Sequence, residues 1–447
     1  MKKIIVFVSG ILSVLCLTSC LREVKTNEQT AKSTEETTAK MTESATKETF
    51  PVQTEPFMPQ EPVPLHKDVL KWTSQYTNSD ILIMTESEIE AENARMLKDC
   101  TSLVDILEFG DKVTAEKLRL LIAKNAIPSE VRYDSDGSEI PDSHREQING
   151  RMKVEAEGDL QVMRGVMTKR GNLRAIPDDK PYRKSPDNMY DSVQLTELPV
   201  GTPVLVLYST SDDEYYFVVS QIYNGWVKKT DVAITEDEGL WNCFTDPESF
   251  ICITDALYKN GAVKLDMGST LPLISVGERE YSVEYPIRTS GGFLDVATVR
   301  IPLTSASRGY LPYTYENYLI QAFKYENTEY GWGGLDDGID CSGFVSNVFA
   351  CFGFEFPRDT KDQDKTVGSA LAVKGKNHSA IAERLVDGVP TAVYFPGHTL
   401  LYIGYDSSDG KYYFIHAPQI GEKVSVTYKE DLSGMTYIGR VGDPTEY

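Results

Sequence analysis

Three residues of this chain could together break an acyl bond: Cys341, His398 and His416. A thiol attacks a carbonyl well only when a base takes its proton, and the base works best when a third group fixes its tautomer and orientation. Cys341 follows the stretch Tyr330-Gly-Trp-Gly-Gly-Leu-Asp-Asp-Gly-Ile-Asp340, whose glycines predict a loop. After it Phe344, Val345, Val348, Phe349 and Phe352 fall on one helical stripe. Asp340 has the side chain of an N-cap, so Cys341 is expected in the first turn of a buried helix, where free N–H groups and the helix dipole favour thiolate. Taken alone, the cysteine reads equally well as a small buried hydrophobe, as Cys351 does among its phenylalanines.

The chain has five histidines, so the search for a base is short. His66 ends a polar tether, and His144 and His378 fall in polar loops. His398 opens the strand Gly397-His-Thr-Leu-Leu-Tyr-Ile-Gly404 and His416 closes Tyr412-Tyr-Phe-Ile-His416, with Asp406-Ser-Ser-Asp-Gly410 as the turn between them. Folding about the middle of that turn, without a bulge, sets His398 opposite residues 416 to 418 and on the same face as His416. Either histidine alone reads as a satisfied, half-buried side chain. As a pair, in one region with a cysteine at a helix start, they read as base and orienter. A zinc site built from Cys341, His398 and His416 fits by ligand type but lacks close ligand spacing.

These residues need a scaffold, and 447 residues suffice for two to four domains. The formal charge of -22, with no basic stripe to offset it, excludes nucleic acid as a partner and adhesion to anionic polymer by charge alone. Residues 1–20 run from Lys2 and Lys3 through an apolar stretch to Leu17-Thr-Ser-Cys20, the layout of a secretory signal. Its end resembles a bacterial lipobox, which implies lipid on Cys20. Residues 21–65, rich in Thr, Glu, Lys and Pro, are expected to be a disordered tether. Of the cysteines that remain, Cys100, Cys243, Cys252, Cys341 and Cys351 match neither a zinc pattern nor a dense disulfide framework, and a single bridge between Cys243 and Cys252 stays open.

Residues 66–151 turn helical, with a capping box at Thr85-Glu-Ser-Glu88 and a second helix opened by Thr114 that carries Leu118, Leu121 and Ile122. Two short helices on polar connections predict a bracing segment. Residues 152–235 change to short strands, Val204–Tyr208, Tyr215–Val219 and Gly225–Val227, which predict a small barrel. Arg170-Gly-Asn-Leu-Arg-Ala-Ile-Pro177, Gly201-Thr-Pro-Val204 and Gly225-Trp-Val227 resemble a bacterial SH3-like (SH3b) domain. Residues 236–306 repeat the style in Met267-Gly-Ser-Thr-Leu-Pro-Leu273 and Gly291-Gly-Phe-Leu294, and read as a second such barrel, either a wall-polymer binder or a spacer that shapes a neighbouring cleft. Thr314 then caps a helix with Leu319, Ile320 and Phe323 inward, which delivers the chain to the glycine-rich loop.

Taken in order, Tyr330-Gly-Trp-Gly-Gly334, Asp340-Cys-Ser-Gly-Phe344, Phe356-Pro-Arg-Asp-Thr360, Gly397-His398 and Phe414-Ile-His416 resemble the NlpC/p60 family of papain-like peptidoglycan endopeptidases. The resemblance implies a multidomain α+β protein with a catalytic domain over 307–447. It implies hydrolysis of the γ-D-glutamyl-L-diamino acid bond of peptidoglycan stem peptides, with Cys341 as nucleophile, His398 as base and His416 as its orienter. The Cys341 N–H, helped by Tyr330, would hold the oxyanion. Asp340, Ser342, Asp359 and Thr360 would bind the free amino end of the substrate, Thr360 standing where relatives have serine. An aromatic residue from an SH3b loop, Tyr182 or Tyr190, would roof the site. No metal or organic cofactor is implied, and the protein is expected to act outside the cytoplasm as a monomer held to the membrane through lipid on Cys20. Two other readings fit the same residues: another cysteine-dependent acyl transfer, as in an amidase or transpeptidase, and a non-catalytic wall-binding lipoprotein.

Overall fold

A computed structural model describes residues 68–442. The signal-like start, Cys20, the tether and His66 lie outside the described residues. Among those described, no helix is long and apolar enough to cross a membrane.

Four helices precede the first barrel where the sequence predicts two: α1 (Val69–Thr73), α2 (Glu86–Asp99), α3 (Ala115–Lys124) and α4 (Asp142–Arg151). The expected caps form. Thr85 accepts the Glu88 N–H while Glu88 Oε2 reaches back to Thr85 N at 2.7 Å, and the Thr114 side chain accepts the N–H of Lys117. The four helices divide between two neighbours. Leu118, Ile122 and Ile148 of α3 and α4 join the core of the strand-rich region, whereas Trp72, Ile89 and Met96 of α1 and α2 join the core under the C-terminal sheet. His144 lies on α4, not in a solvated loop, and its Nε2 is 2.6 Å from Asp178 Oδ2.

The first sheet is antiparallel throughout and runs in the spatial order Gln194–Leu198, Gly171–Arg174, Asn224–Lys228, Tyr215–Val219, Pro203–Ser209, Met163–Met167, Val232–Thr235. Its composition follows its burial. Tyr215–Val219 is apolar and buried at every position, while Gln194–Leu198 alternates buried and half-buried residues. Helix α5 (Glu238–Thr245) leads to a second antiparallel sheet ordered Leu294–Pro302, Glu280–Arg288, Thr270–Val276, Phe250–Ile253, Ala306–Arg308. Cys252 of this sheet meets Cys351 of the next region, so the Cys243–Cys252 pairing left open by the sequence is not the contact that forms.

The C-terminal region stacks α6 (Tyr315–Lys324) and α7 (Cys341–Ala350) against a six-stranded antiparallel sheet, with α8 (Thr360–Thr366) and α9 (His378–Ala382) beside it. His378 thus begins a helix and stacks edge-on against Tyr412 at 5.6 Å, although a surface loop was expected there.

The hairpin that carries both candidate histidines departs from the simple expectation. Near its turn Asp406 pairs with Lys411, Tyr405 with Tyr412 and Gly404 with Tyr413; beyond Ile403 the register slips, and Tyr402 pairs with Phe414 and Leu401 with Ile415. Continued outward, this register sets His398 opposite Pro418 and diagonal to His416, on one face. Without the slip His398 would stand opposite Gln419, with the two imidazoles on opposite faces. The expected common face therefore exists because of a bulge, where the sequence reasoning assumed none.

The bulge is held from two helices. The hydroxyls of Tyr315 and Tyr318 on α6 donate to the carbonyls of Ile403 (2.9 Å) and Tyr402 (3.0 Å), which the irregular ladder would leave short of donors. Gly404 has φ +141°, and a Cβ there would fall 2.9 Å from the Trp72 ring, so α1 packs directly onto the bulge. Trp72 is fully buried and also contacts the Tyr413 ring at 5.2 Å. Trp72→Ala is expected to cost about 3–5 kcal/mol, the usual cost of emptying a buried tryptophan site. Urea unfolding of the two proteins checks this, and a loss under about 1 kcal/mol would mean that the bulge does not depend on the packing of α1.

Candidate active site

Asp340 begins the site. Its Oδ1 accepts the N–H of Gly343 at 2.8 Å and so caps α7, and its Oδ2 accepts the N–H of Gly333 at 2.9 Å and so ties down the glycine-rich loop. Arg358 completes it. The guanidinium is buried and donates from Nη2 to Asp340 Oδ2 (2.6 Å), from Nη1 to Ser342 Oγ (2.9 Å), and from Nε to Thr196 Oγ1 of the first sheet (2.7 Å). Asp340 and Ser342 therefore stand on the wall of the cavity with their polar atoms engaged by the protein itself.

Cys341 occupies the first turn of α7, as expected, and is buried. Its Sγ lies 3.8 Å from Thr360 Oγ1, and the backbone N–H of Thr399 points at the sulfur. The protonation expected from the helix start is reversed. Burial, and then the Asp340 carboxylate, push the thiol above its ordinary value near 9.0, against the opposing pull of the Thr399 N–H, Thr360 and Arg358.

His398 Nε2 lies 2.8 Å from His416 Nδ1, and His416 Nε2 lies 3.2 Å from Thr427 Oγ1. With both Nε2 atoms protonated, His416 donates to Thr427 and accepts from His398. The Nδ1 lone pair of His398 is then the free base. Burial, followed by the charge of Lys429, pushes His398 down to about 4; burial, then His398 and Lys429, push His416 down to about 3. Cys341, His398 and His416 are thus all neutral at rest. The sign for stability follows. An unfolded chain takes protons on these rings near pH 6.5 and the folded one refuses them, so folding loses stability as pH falls from about 6.5 toward 4.

Cys341 and His398 open onto one cavity of about 900 Å³, walled on one side by the C-terminal region and on the other by the loop of the first barrel. Tyr330 lies on its wall, its hydroxyl pushed up by burial and then by Asp340 and Cys341. Asp359 precedes α8 but does not cap it. Its Oδ2 instead meets the Tyr223 hydroxyl at 3.3 Å and Lys361 Nζ at 3.2 Å at the cavity. Of the two candidate roof residues, Tyr182 is fully buried inside the barrel, while Tyr190 lines the cavity and stacks edge-on against Trp332 at 5.1 Å. Trp332 Nε1 donates to the Asp191 carbonyl at 2.9 Å, and Gln194 Nε2 donates to the Gly333 carbonyl at 3.1 Å. This docking needs glycine. Gly333 has φ +58°, and a Cβ there would come 2.8 Å from Gln194 Cγ.

Comparison with known proteins identifies two regions of the chain. Residues 327–437 match the model of the NlpC/P60 family, and residues 179–228 match an SH3 domain of SH3b1 type. The chain carries an NlpC/P60 domain behind an SH3b domain. It is 26% identical over 249 residues to the γ-D-glutamyl-L-lysine dipeptidyl-peptidase of Bacillus subtilis (strain 168), covering 53% of this chain and 76% of that one. A shorter match, 43% identical over 51 residues, is to the bifunctional muramidase/DL-endopeptidase CwlT of the same organism and covers 11% of this chain and 16% of the relative. In fold the chain is similar to the NlpC/P60 endopeptidase from Photobacterium damselae subsp. piscicida, with TM-score 0.66 and 15% identity over 82% of this chain and 95% of that one.

Within the NlpC/P60 domain, sequence reasoning missed Arg358 and Thr427. Arg358 was visible as a lone arginine in the apolar context Phe356-Pro-Arg, where a charge has to be paired. Thr427 follows from the next hairpin, in which His416 pairs with Ser425 and Thr427 stands diagonal to it. Because burial raises the thiol, alkylation of Cys341 by iodoacetamide, measured against a Cys341→Ala blank, is expected to be slow at pH 6 and to rise about tenfold per pH unit with no plateau by pH 8. A reaction plateau already present at pH 5 would show a resting thiolate and contradict this assignment.

Proposed function

We propose that this chain is a cysteine endopeptidase that hydrolyses the γ-D-glutamyl-L-diamino acid bond of peptidoglycan stem peptides. One observation carries the reading: Cys341 and His398 open onto a single roofed cavity, with His398 backed by His416 and then Thr427. In the first half-reaction His398 Nδ1 takes the thiol proton as Sγ attacks the γ-carbonyl. The Cys341 N–H and the Tyr330 hydroxyl face the oxyanion, and the imidazolium returns its proton to the leaving amine as the C–N bond breaks. In the second, His398 takes a proton from water, which attacks the thioester and releases the γ-carboxylate and the thiol. His416 and Thr427 hold the imidazole in the tautomer that both halves need.

The cavity favours short peptides with a free amino end. Asp359 is the carboxylate on its wall not taken up in capping a helix or in a buried ion pair, and an ammonium group would displace its exposed partner Lys361 at little cost. Asp340, the other carboxylate expected there, contributes through Arg358 and through its field. Tyr190 and Trp332 close the roof. Lipid on Cys20 would hold the enzyme outside the cytoplasm, where released wall fragments reach it.

Mass spectrometry of L-Ala-γ-D-Glu-diaminopimelate after incubation tests the reaction. The expected products are L-Ala-D-Glu and free diaminopimelate with the wild type, and intact peptide with Cys341→Ala. Cleavage at another bond, or a new amide in place of a new amine when an amine acceptor is added, would overturn the assignment.

A further inference from the structure

Two positive side chains on the cavity wall have no role in the proposed reaction. In a chain of net charge -22, Arg132 and Lys184 both line the cavity. They come from different parts of the fold, Arg132 from the segment between α3 and α4 and Lys184 from the barrel loop that carries Tyr190. A backbone bridge joins them. Tyr133 and Arg183 exchange hydrogen bonds in both directions, N to O at 3.0 and 2.9 Å, as an antiparallel pair. In that register Arg132 stands opposite Lys184, a like-charge juxtaposition that costs stability unless something between them is negative.

The pair is built, not incidental. Arg145 on α4 holds the segment before Arg132 through the carbonyls of Pro128 (3.2 Å), Ser129 (3.1 Å) and Glu130 (2.7 Å). On the other side of the bridge Lys180 pairs with Asp134, and Arg183 Nη1 donates to the Ser135 carbonyl at 3.2 Å. Arg132 has one acidic partner, the exposed Glu130 at 3.0 Å, and its Nε has no hydrogen-bond partner. Among the described residues Lys184 has no ion pair. The other two cations on the wall are already matched, Arg358 by Asp340 and Lys361 by Asp359.

We propose that Arg132 and Lys184 form a carboxylate-binding subsite that grips the peptide at a second point while Asp359 takes its ammonium group. The proposal rests on the peptidase reading and deepens it, because it makes the helical segment before the barrels part of substrate recognition. A γ-linked stem peptide offers two sources of the required anion: the α-carboxylate that the γ-linkage leaves free on the D-glutamyl residue, and the carboxylates of the diamino acid.

The test compares the wild type with Arg132→Gln, Lys184→Gln and the double variant on three peptides: L-Ala-γ-D-Glu-diaminopimelate, the same peptide with the glutamyl α-carboxylate amidated, and the same peptide with the diaminopimelate carboxylates amidated. With all carboxylates free, the double variant is expected to raise KM about tenfold or more while kcat stays within about twofold, the size of one lost charge-assisted contact that binds ground and transition states alike. One amidated peptide should show the raised KM already in the wild type and be indifferent to the substitutions; which one does so identifies the carboxylate. Arg132→Lys with Lys184→Arg should recover most of the affinity. Equal losses on all three peptides, or none on any, would overturn the subsite. Calorimetric binding of the same peptides to the Cys341→Ala protein reads the subsite without catalysis, so a wild type that cleaves nothing would count against the reaction alone, while carboxylate-independent binding would count against the subsite.

Discussion

The buried pair of Asp340 and Arg358 is the contact on which the rest of the site depends. Asp340 caps the helix that carries the nucleophile and anchors the loop before it, and Arg358 binds Asp340, Ser342 and, across the domain boundary, Thr196 of the first sheet. A buried ion pair of this kind adds little net stability over a well-packed apolar pair, but removing one partner strands the other at a cost of about 3–5 kcal/mol. Its use here is positional. One guanidinium, with its donors in a fixed plane, sets the start of α7, the Phe356–Thr360 segment and the SH3b sheet at fixed distances from each other. The cavity that Cys341 and His398 share forms where those three meet.

The electrostatics of that cavity follow from its dryness. Burial raises the thiol and lowers both imidazoles, so the resting pair is neutral, and in the proposed reaction the proton would pass to His398 only as the carbon–sulfur bond forms. A carboxylate behind His398 would hold it as imidazolium. A second neutral histidine ending on a threonine hydroxyl fixes the tautomer without doing so. The helix start still matters, because its backbone N–H groups face the place where an oxyanion would develop.

Much of this was legible in the sequence, and the misses have physical causes. The N-cap at Asp340, the first-turn position of Cys341 and the capping box at Thr85 depend on neighbours within four residues, and all three formed as read. The shared face of His398 and His416 was read correctly on an incomplete argument, since parity survives only through a bulge that Tyr315, Tyr318 and Trp72 stabilise from far along the chain. The helical segment was harder. Its apolar stripes showed that it packs, but not that α1 and α2 serve the C-terminal sheet while α3 and α4 serve the two upstream sheets. Local signals likewise missed the thiol's protonation, because burial and then the Asp340 carboxylate raise it, and that burial is a property of the assembled cavity.

The upstream region thus does more than support the NlpC/P60 domain. Its loop brings Tyr190 to the cavity wall, and its docking onto Trp332 and Gly333 gives the cavity a second side, which under the proposed function would select released peptides over the intact wall. The most direct test is the ratio of kcat/KM for L-Ala-γ-D-Glu-diaminopimelate to that for its N-acetylated form. The account predicts a preference for the free amine of about a hundredfold or more, the effect of losing the charge-assisted contact to Asp359 and crowding an acyl group against Tyr190. Equal cleavage of the two peptides would contradict it, and would mean that the cavity is open at the amino end of its substrate.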